Sequence, residues 1–235
     1  MTDIIRIILY AYLGGFPIVL GGLLSYYIQN HDFKMKARLN HWFIAFAGGA
    51  LISAISFALV PHAIESLSDI GLIIIFLSGT LTFMIIDKLI ANVGGSFGII
   101  ISMLMDFLPE ALALGASFAY SPNFGLLLAI FIGVQNFPEG YGSYIELTKF
   151  LSKKRTLFLM FLLSFVGIFS ALIGTFFLSN NKILIDEILL FAGGGILYLV
   201  FQDIAPLSKE PNDWIPASGA SIGFVIGMIG QKLLI

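Results

Sequence analysis

The chain has 235 residues, of which 58% are hydrophobic and only 11% charged, where an ordinary soluble domain carries roughly 25% charged residues. So little charge cannot cover a water-soluble globule of this size, and a net charge of -2 with no basic block excludes nucleic acid as a partner. The absence of cysteine excludes disulfides, thiolate catalysis and thiolate metal ligands.

Apolar stretches near the ~20 residues needed to cross a ~30 Å hydrocarbon core recur along the whole sequence, so the lipid bilayer is its solvent. Cutting at polar and Gly/Pro clusters predicts eight spans, near 4–28, 41–61, 70–90, 97–120, 123–148, 156–179, 185–206 and 214–234. The fold class is all-α integral membrane, and residues 1–235 read as a single transmembrane domain. The first stretch is longer than the roughly 7 to 15 apolar residues of a signal peptide, and no A-x-A-like cleavage site follows it. It reads as the first span.

Eight spans place Lys34, Lys36, Arg38, Lys88, Lys149, Lys153, Lys154, Arg155 and Lys209 in loops on one side, leaving Arg6, Lys182 and Lys232 for the other. The positive-inside rule then predicts a cell-membrane protein with these basic loops in the cytoplasm and both termini outside.

An internal repeat is visible. Phe46-Ala47-Gly48-Gly49 in the second span is followed by Pro61, and Phe191-Ala192-Gly193-Gly194 in the seventh is followed by Pro206 at the same distance. Small residues at these points let helices approach closely. The two spans run in opposite directions, so the copies are inverted and the arrangement is three plus two plus three, with spans four and five central.

Those central spans carry the chemistry. Asp106-Phe107-Leu108-Pro109-Glu110-Ala111 lies in the fourth and Gln135-Asn136-Phe137-Pro138-Glu139-Gly140 in the fifth. Asp106 and Glu110 are one helical turn apart on one face, as are Gln135 and Glu139, so two polar faces can meet around one ion. Each Glu follows a Pro, which lacks the N–H that would bond the carbonyl four residues earlier, releasing Met105 and Val134 carbonyls. Between Lys88 and Lys149 there is no Lys, Arg or His. Three intramembrane carboxylates therefore lack a protein counter-ion, and each costs roughly 2.5 to 3.5 kcal/mol at a helix centre unless a cation or protons offset it. The competing reading is protonated carboxyls bonded to one another and to the freed carbonyls.

D-F-L-P-E-A and Q-N-F-P-E-G, the E-A-L-A-L-G-A-S-F run and the two F-A-G-G segments together resemble the ZIP-type divalent-metal transporters. The resemblance implies eight helices, uptake of zinc, iron or manganese toward the cytoplasm, and a metal site on Asp106, Glu110, Gln135 and Glu139. Asp106 stands where the family usually has His, and Phe107 replaces a neighbouring Asn and cannot ligate. The sixth span lacks the Glu often found there, so a second metal position keeps only Asn136 besides the shared glutamates. One metal per chain is the expectation. Oxygen in place of imidazole makes the site harder, shifting preference toward Mn²⁺ or Fe²⁺. No resident cofactor is expected, the metal being substrate, and a homodimer stays open.

His62 and Glu65, three apart after Pro61 with Asp69 nearby, read as an interfacial solvated pair or as a point where metal first binds. Asp203 near the inner end of the seventh span reads as an interfacial acid or a release point, Asp87 beside Lys88 as an interfacial acid, and His31 and His41 as solvated. An intramembrane metalloenzyme would want H-E-x-x-H, which does not occur, so the chain does not read as an enzyme. The remaining alternative is a relative that senses metal without transporting it.

Overall fold

The computed structural model describes residues 2–31, 35–118, 120–178 and 180–234; Lys34 of the first basic loop and Ser179 at the end of the sixth predicted span lie outside them. The described residues form eight helical segments. Segment one is α1 (Thr2–Gly15) and α2 (Pro17–Asn30); segment two is α3 (Lys36–Ala54), a π-helical turn (Ile55–Leu59) and α4 (Pro61–Ser66). Segments three, four and five are α5 (Asp69–Val93), α6 (Gly95–Ser117) and α7 (Pro122–Leu147). Segment six is α8 (Lys153–Leu163) and α9 (Val166–Leu178); segment seven is α10 (Lys182–Leu199), a second π-helical turn (Val200–Ile204) and α11 (Ala205–Ser208); segment eight is α12 (Ser218–Leu234).

Six segments are long and apolar enough to cross a membrane, and the chain is an all-helical integral membrane protein. The other two are α7, which carries Gln135, Asn136 and Glu139 in its middle, and α12, only 17 residues long.

Local chemistry sets the boundaries. Ser68, Ser121 and Asn181 cap α5, α7 and α10, their side-chain oxygens accepting from the backbone N–H of Gly71, Phe124 and Leu184. Pro122 follows its cap at the first helical position, where a missing N–H costs nothing. Between α5 and α6 the backbone turns at Gly94 and Gly95, both at positive φ that a side chain would resist. Pro109 and Pro138 do not end their helices; α6 and α7 run through them.

The repeat extends beyond sequence. Each π turn begins nine residues after the Phe of its F-A-G-G segment, at Ile55 and at Val200. The packing repeats as well. Gly49 lies against the Ala220 backbone and Gly223 against Phe46, joining segments two and eight, while Gly194 lies against Phe76 and Gly79 against Phe191, joining seven and three. Gly21 against Phe137 and Gly140 against Ile18 join one and five; Gly174 against Leu112 and Gly115 against Ala171 join six and four. At every one of these a Cβ would overlap a neighbouring carbonyl, so only glycine permits the approach. Hydroxyls add hydrogen bonds at matching points, Thr80 to the Gly194 carbonyl and Thr175 to the Gly115 carbonyl, each at 3.0 Å.

These seams divide the molecule into two groups of four segments. One, four, five and six form the group that carries the central motifs; two, three, seven and eight form a frame. Every described glycine whose missing side chain would strike another segment's backbone does so within its own group. Contacts between the groups are made by side chains. Phe43 meets Phe137 and Tyr141 with ring centroids 5.9 and 4.7 Å away, and Phe131 lies over Gly227.

At the ends bearing the basic loops, Arg38 pairs with Asp213, and His41 places Nε2 2.7 Å from Glu210 and Nδ1 2.7 Å from the Leu207 carbonyl. Both ring nitrogens face oxygen atoms. His41 is thus engaged, not solvated as its place beside a loop suggests, because the chain folds back after Ser208 through a tight turn at Pro211-Asn212. His31 is exposed, its Nδ1 2.8 Å from the Tyr27 carbonyl.

Candidate metal centre

α6 and α7 pack together in the motif-bearing group and bring one pair of the predicted residues into contact. The Gln135 amide donates to the Glu110 carboxylate, and both side chains are buried, Glu110 3% and Gln135 2% exposed. The Oε1 of Gln135 has no protein partner. One buried carboxylate and one amide oxygen therefore stand together with acceptor capacity to spare.

Asp106 and Glu139 are partly buried, and among the described residues neither makes a hydrogen bond to that pair. Glu139 is within charge range of Asp106 and Glu110, and Asp106 is within range of Asp203 and Asp87 in the frame. The Oδ1 of Asp106 is buried without a partner. Among the described residues no three His, Asp or Glu side chains stand close enough together to hold an ion. The structure thus brings two of the four predicted ligands, Glu110 and Gln135, into direct contact and does not bring Asp106 and Glu139 to them. Among the described residues no Lys, Arg or His pairs with any of the three carboxylates.

Asn136 is fully buried and donates through Nδ2 to the Gly14 carbonyl at 2.8 Å, where segment one breaks before Pro17. Its amide nitrogen spans that break, while its Oδ1 has no partner. Phe107, 2% exposed, fills a slot whose walls are Gly15 and Gly167, at the breaks of segments one and six. The ring is core packing, and the two glycines are the signal for it in the sequence.

The peripheral candidates separate. His62 is half-buried, stacked on Tyr120 and edge-on to Phe124 with both centroids 4.6 Å away, whereas Glu65 and Asp69 are exposed. Asp203 sits half-buried in the second π turn. Asp87 accepts from the Tyr198 hydroxyl at 2.9 Å. One buried acid escaped the sequence reading: Asp186, 3% exposed, accepts from the Tyr120 hydroxyl. A crevice lined by Leu13, Pro17, Phe46, Ile130 and Phe137 is apolar and includes none of the four predicted ligands.

No protein-family model matches the chain. Over 133 residues, 55% of its length, it is 35% identical to a zinc transporter, GufA, of Myxococcus xanthus. The chain is thus similar to a named zinc transporter over that stretch. The match spans about half of that relative, 52% of its length. Of the two departures from the motif pattern that the sequence resembles, Phe107 packs between Gly15 and Gly167.

Proposed function

We propose that this chain carries a divalent transition-metal ion, zinc, iron or manganese, across the membrane through one site made by Asp106, Glu110, Gln135 and Glu139. The reading rests on Glu110, an intramembrane carboxylate 3% exposed, touching an amide with a free oxygen and facing no protein cation. A dication offsets the burial of such a group, and Asp106 and Glu139 complete an oxygen set by closing on it. Eight crossings, with the basic loops in the cytoplasm and both termini outside, set uptake as inward movement. In this reading the two glycine-seamed groups move against each other and expose the site to each side in turn, which their separate backbone seams support.

The named activity of the GufA relative is zinc transport. An all-oxygen site shifts preference toward Mn²⁺ or Fe²⁺. Uptake of the three ions into proteoliposomes tests both points. Wild-type protein takes up metal, Glu110→Ala and Glu139→Ala reduce uptake at least ~10-fold, and Asp106→His raises the zinc share. Tight binding without flux would identify a sensor instead. Zinc outcompeting manganese by a margin that Asp106→His leaves unchanged would refute the hard-site assignment. Three carboxylates around one dication leave negative charge, so one carboxyl carries a proton and flux varies between pH about 5 and 8. Flat flux over that range would remove the proton.

A further inference from the structure

The groups are seamed internally by backbone contacts, so whatever holds them to each other must be side-chain bonds that can break. At the end away from the basic loops one residue concentrates them. Tyr120 lies on the short connection between segments four and five, and so belongs to the motif-bearing group. Its hydroxyl donates to the Asp186 carboxylate and lies 3.3 Å from the Lys182 carbonyl, the Lys182 ammonium sits 5.1 Å from its ring centroid, and His62 stacks on its face at 4.6 Å. Asp186 and Lys182 are on α10 and His62 on α4, all in the frame. One group thus inserts an aromatic tip into a socket made by the other.

A burial argument gives the contact its direction. Asp186 is 3% exposed and has no salt bridge among the described residues, so the Tyr120 hydroxyl is the side-chain donor that satisfies it. A hydrogen bond to a buried carboxylate is worth more than a neutral one, and its loss leaves a charge uncompensated until water reaches it. The socket therefore stays shut until water enters that end. At the opposite end Tyr141, also of the motif-bearing group and fully buried, donates to Asn40 and packs on Phe43 of the frame. That bond is neutral, and its acceptor is an amide.

We propose that Tyr120 is an outer latch, closed on Asp186 in this conformation, whose release opens the outer side of the boundary between the groups. Its role in transport rests on the carrier reading, but the latch itself can be measured without flux. The chain has no native cysteine, so Ser117→Cys, a conservative change at a fully buried position one turn from Tyr120, provides a single reporter. In full-length protein in liposomes, labelling of this reporter by a membrane-impermeant maleimide is compared in wild-type, Tyr120→Phe, Asp186→Asn and double-variant backgrounds. Each single variant is expected to speed labelling several-fold, and the double variant no further, since both remove one bond. Unchanged labelling in both single variants, or effects that multiply in the double variant, would overturn the latch. A Tyr120→Cys/Asp186→Cys pair, made without the reporter, should be joined by a bifunctional thiol reagent whose spacer replaces the lost tyrosine ring, since a direct disulfide is too short for a tip-to-carboxylate contact, and should lose metal uptake once joined. Cross-linking with full uptake would show a contact that need not open, and would overturn the latch as well. If wild-type protein takes up no metal, the carrier reading fails while the labelling result still decides the latch.

Discussion

Phe107 shows how a residue's inability to ligate can be read from its type while its surroundings cannot. A side chain that cannot ligate, beside a candidate ligand, looks like damage to a metal site; in the fold it fills the slot between Gly15 and Gly167. Replacing it with the Asn of the family pattern should therefore create no second metal position. Phe107→Asn puts an unpartnered amide in an apolar slot and removes most of a buried ring, a loss on the order of 3 kcal/mol. Thermal unfolding in detergent should show a clear fall in Tm, with metal stoichiometry unchanged. A second bound ion per chain in that variant would mean the slot faces the site. Asn136 differs, since its amide nitrogen is engaged by the Gly14 carbonyl while its oxygen keeps its acceptor capacity.

Helical elements are held by what they lack. Gly174 abuts the Leu112 backbone, so Gly174→Val forces segments four and six apart and should cost about 1 to 3 kcal/mol. Gly142 lies in α7 with nothing within 4 Å of a Cβ, so Gly142→Ala should be neutral or stabilising by up to about 1 kcal/mol. Comparing the two Tm values checks the seam, and equal losses would contradict it. The loop after segment seven has an electrostatic test. Burial alone would raise the Asp213 carboxyl, but the Ile215 N–H and the Arg38 guanidinium hold it below the usual carboxylate range. A lowered folded-state pKa means the clamp is complete above the ordinary carboxylate pKa and is lost as pH falls through the folded value, below about pH 4. Hydrogen exchange over 209–217, corrected for intrinsic rate, should therefore accelerate in that range in wild-type protein. In Arg38→Gln the acceleration should begin at higher pH.

At the scale of the molecule, the mirrored seams make a mechanical prediction that the cysteine-free background renders simple to test. A cross-link within the frame, between Trp42→Cys and Gly219→Cys, joins backbones already in contact and should leave metal uptake near that of the same variant before oxidation. A cross-link between the groups, Asn40→Cys to Tyr141→Cys joined by a bifunctional thiol reagent that spans the lost tyrosine ring, should abolish it. Loss of uptake with both would argue that the whole bundle flexes instead of two bodies moving past each other.

Much of this architecture was legible in residue order alone. Hydrophobic length marks where helices run because the bilayer allows no unsatisfied backbone, and the segment limits fall within a few residues of the predicted spans. The F-A-G-G repeat and the paired P-E motifs were equally visible, since a helix fixes which residues share a face. What sequence could not supply is which faces meet. That Glu110 finds Gln135 but not Asp106 or Glu139 at contact distance, that Asp186 has a tyrosine for its partner, and that His41 is engaged by a distant loop all depend on helix pairings far apart in the chain. Those pairings are set by close approach at glycines, whose position in a sequence gives no hint of the backbone they will touch.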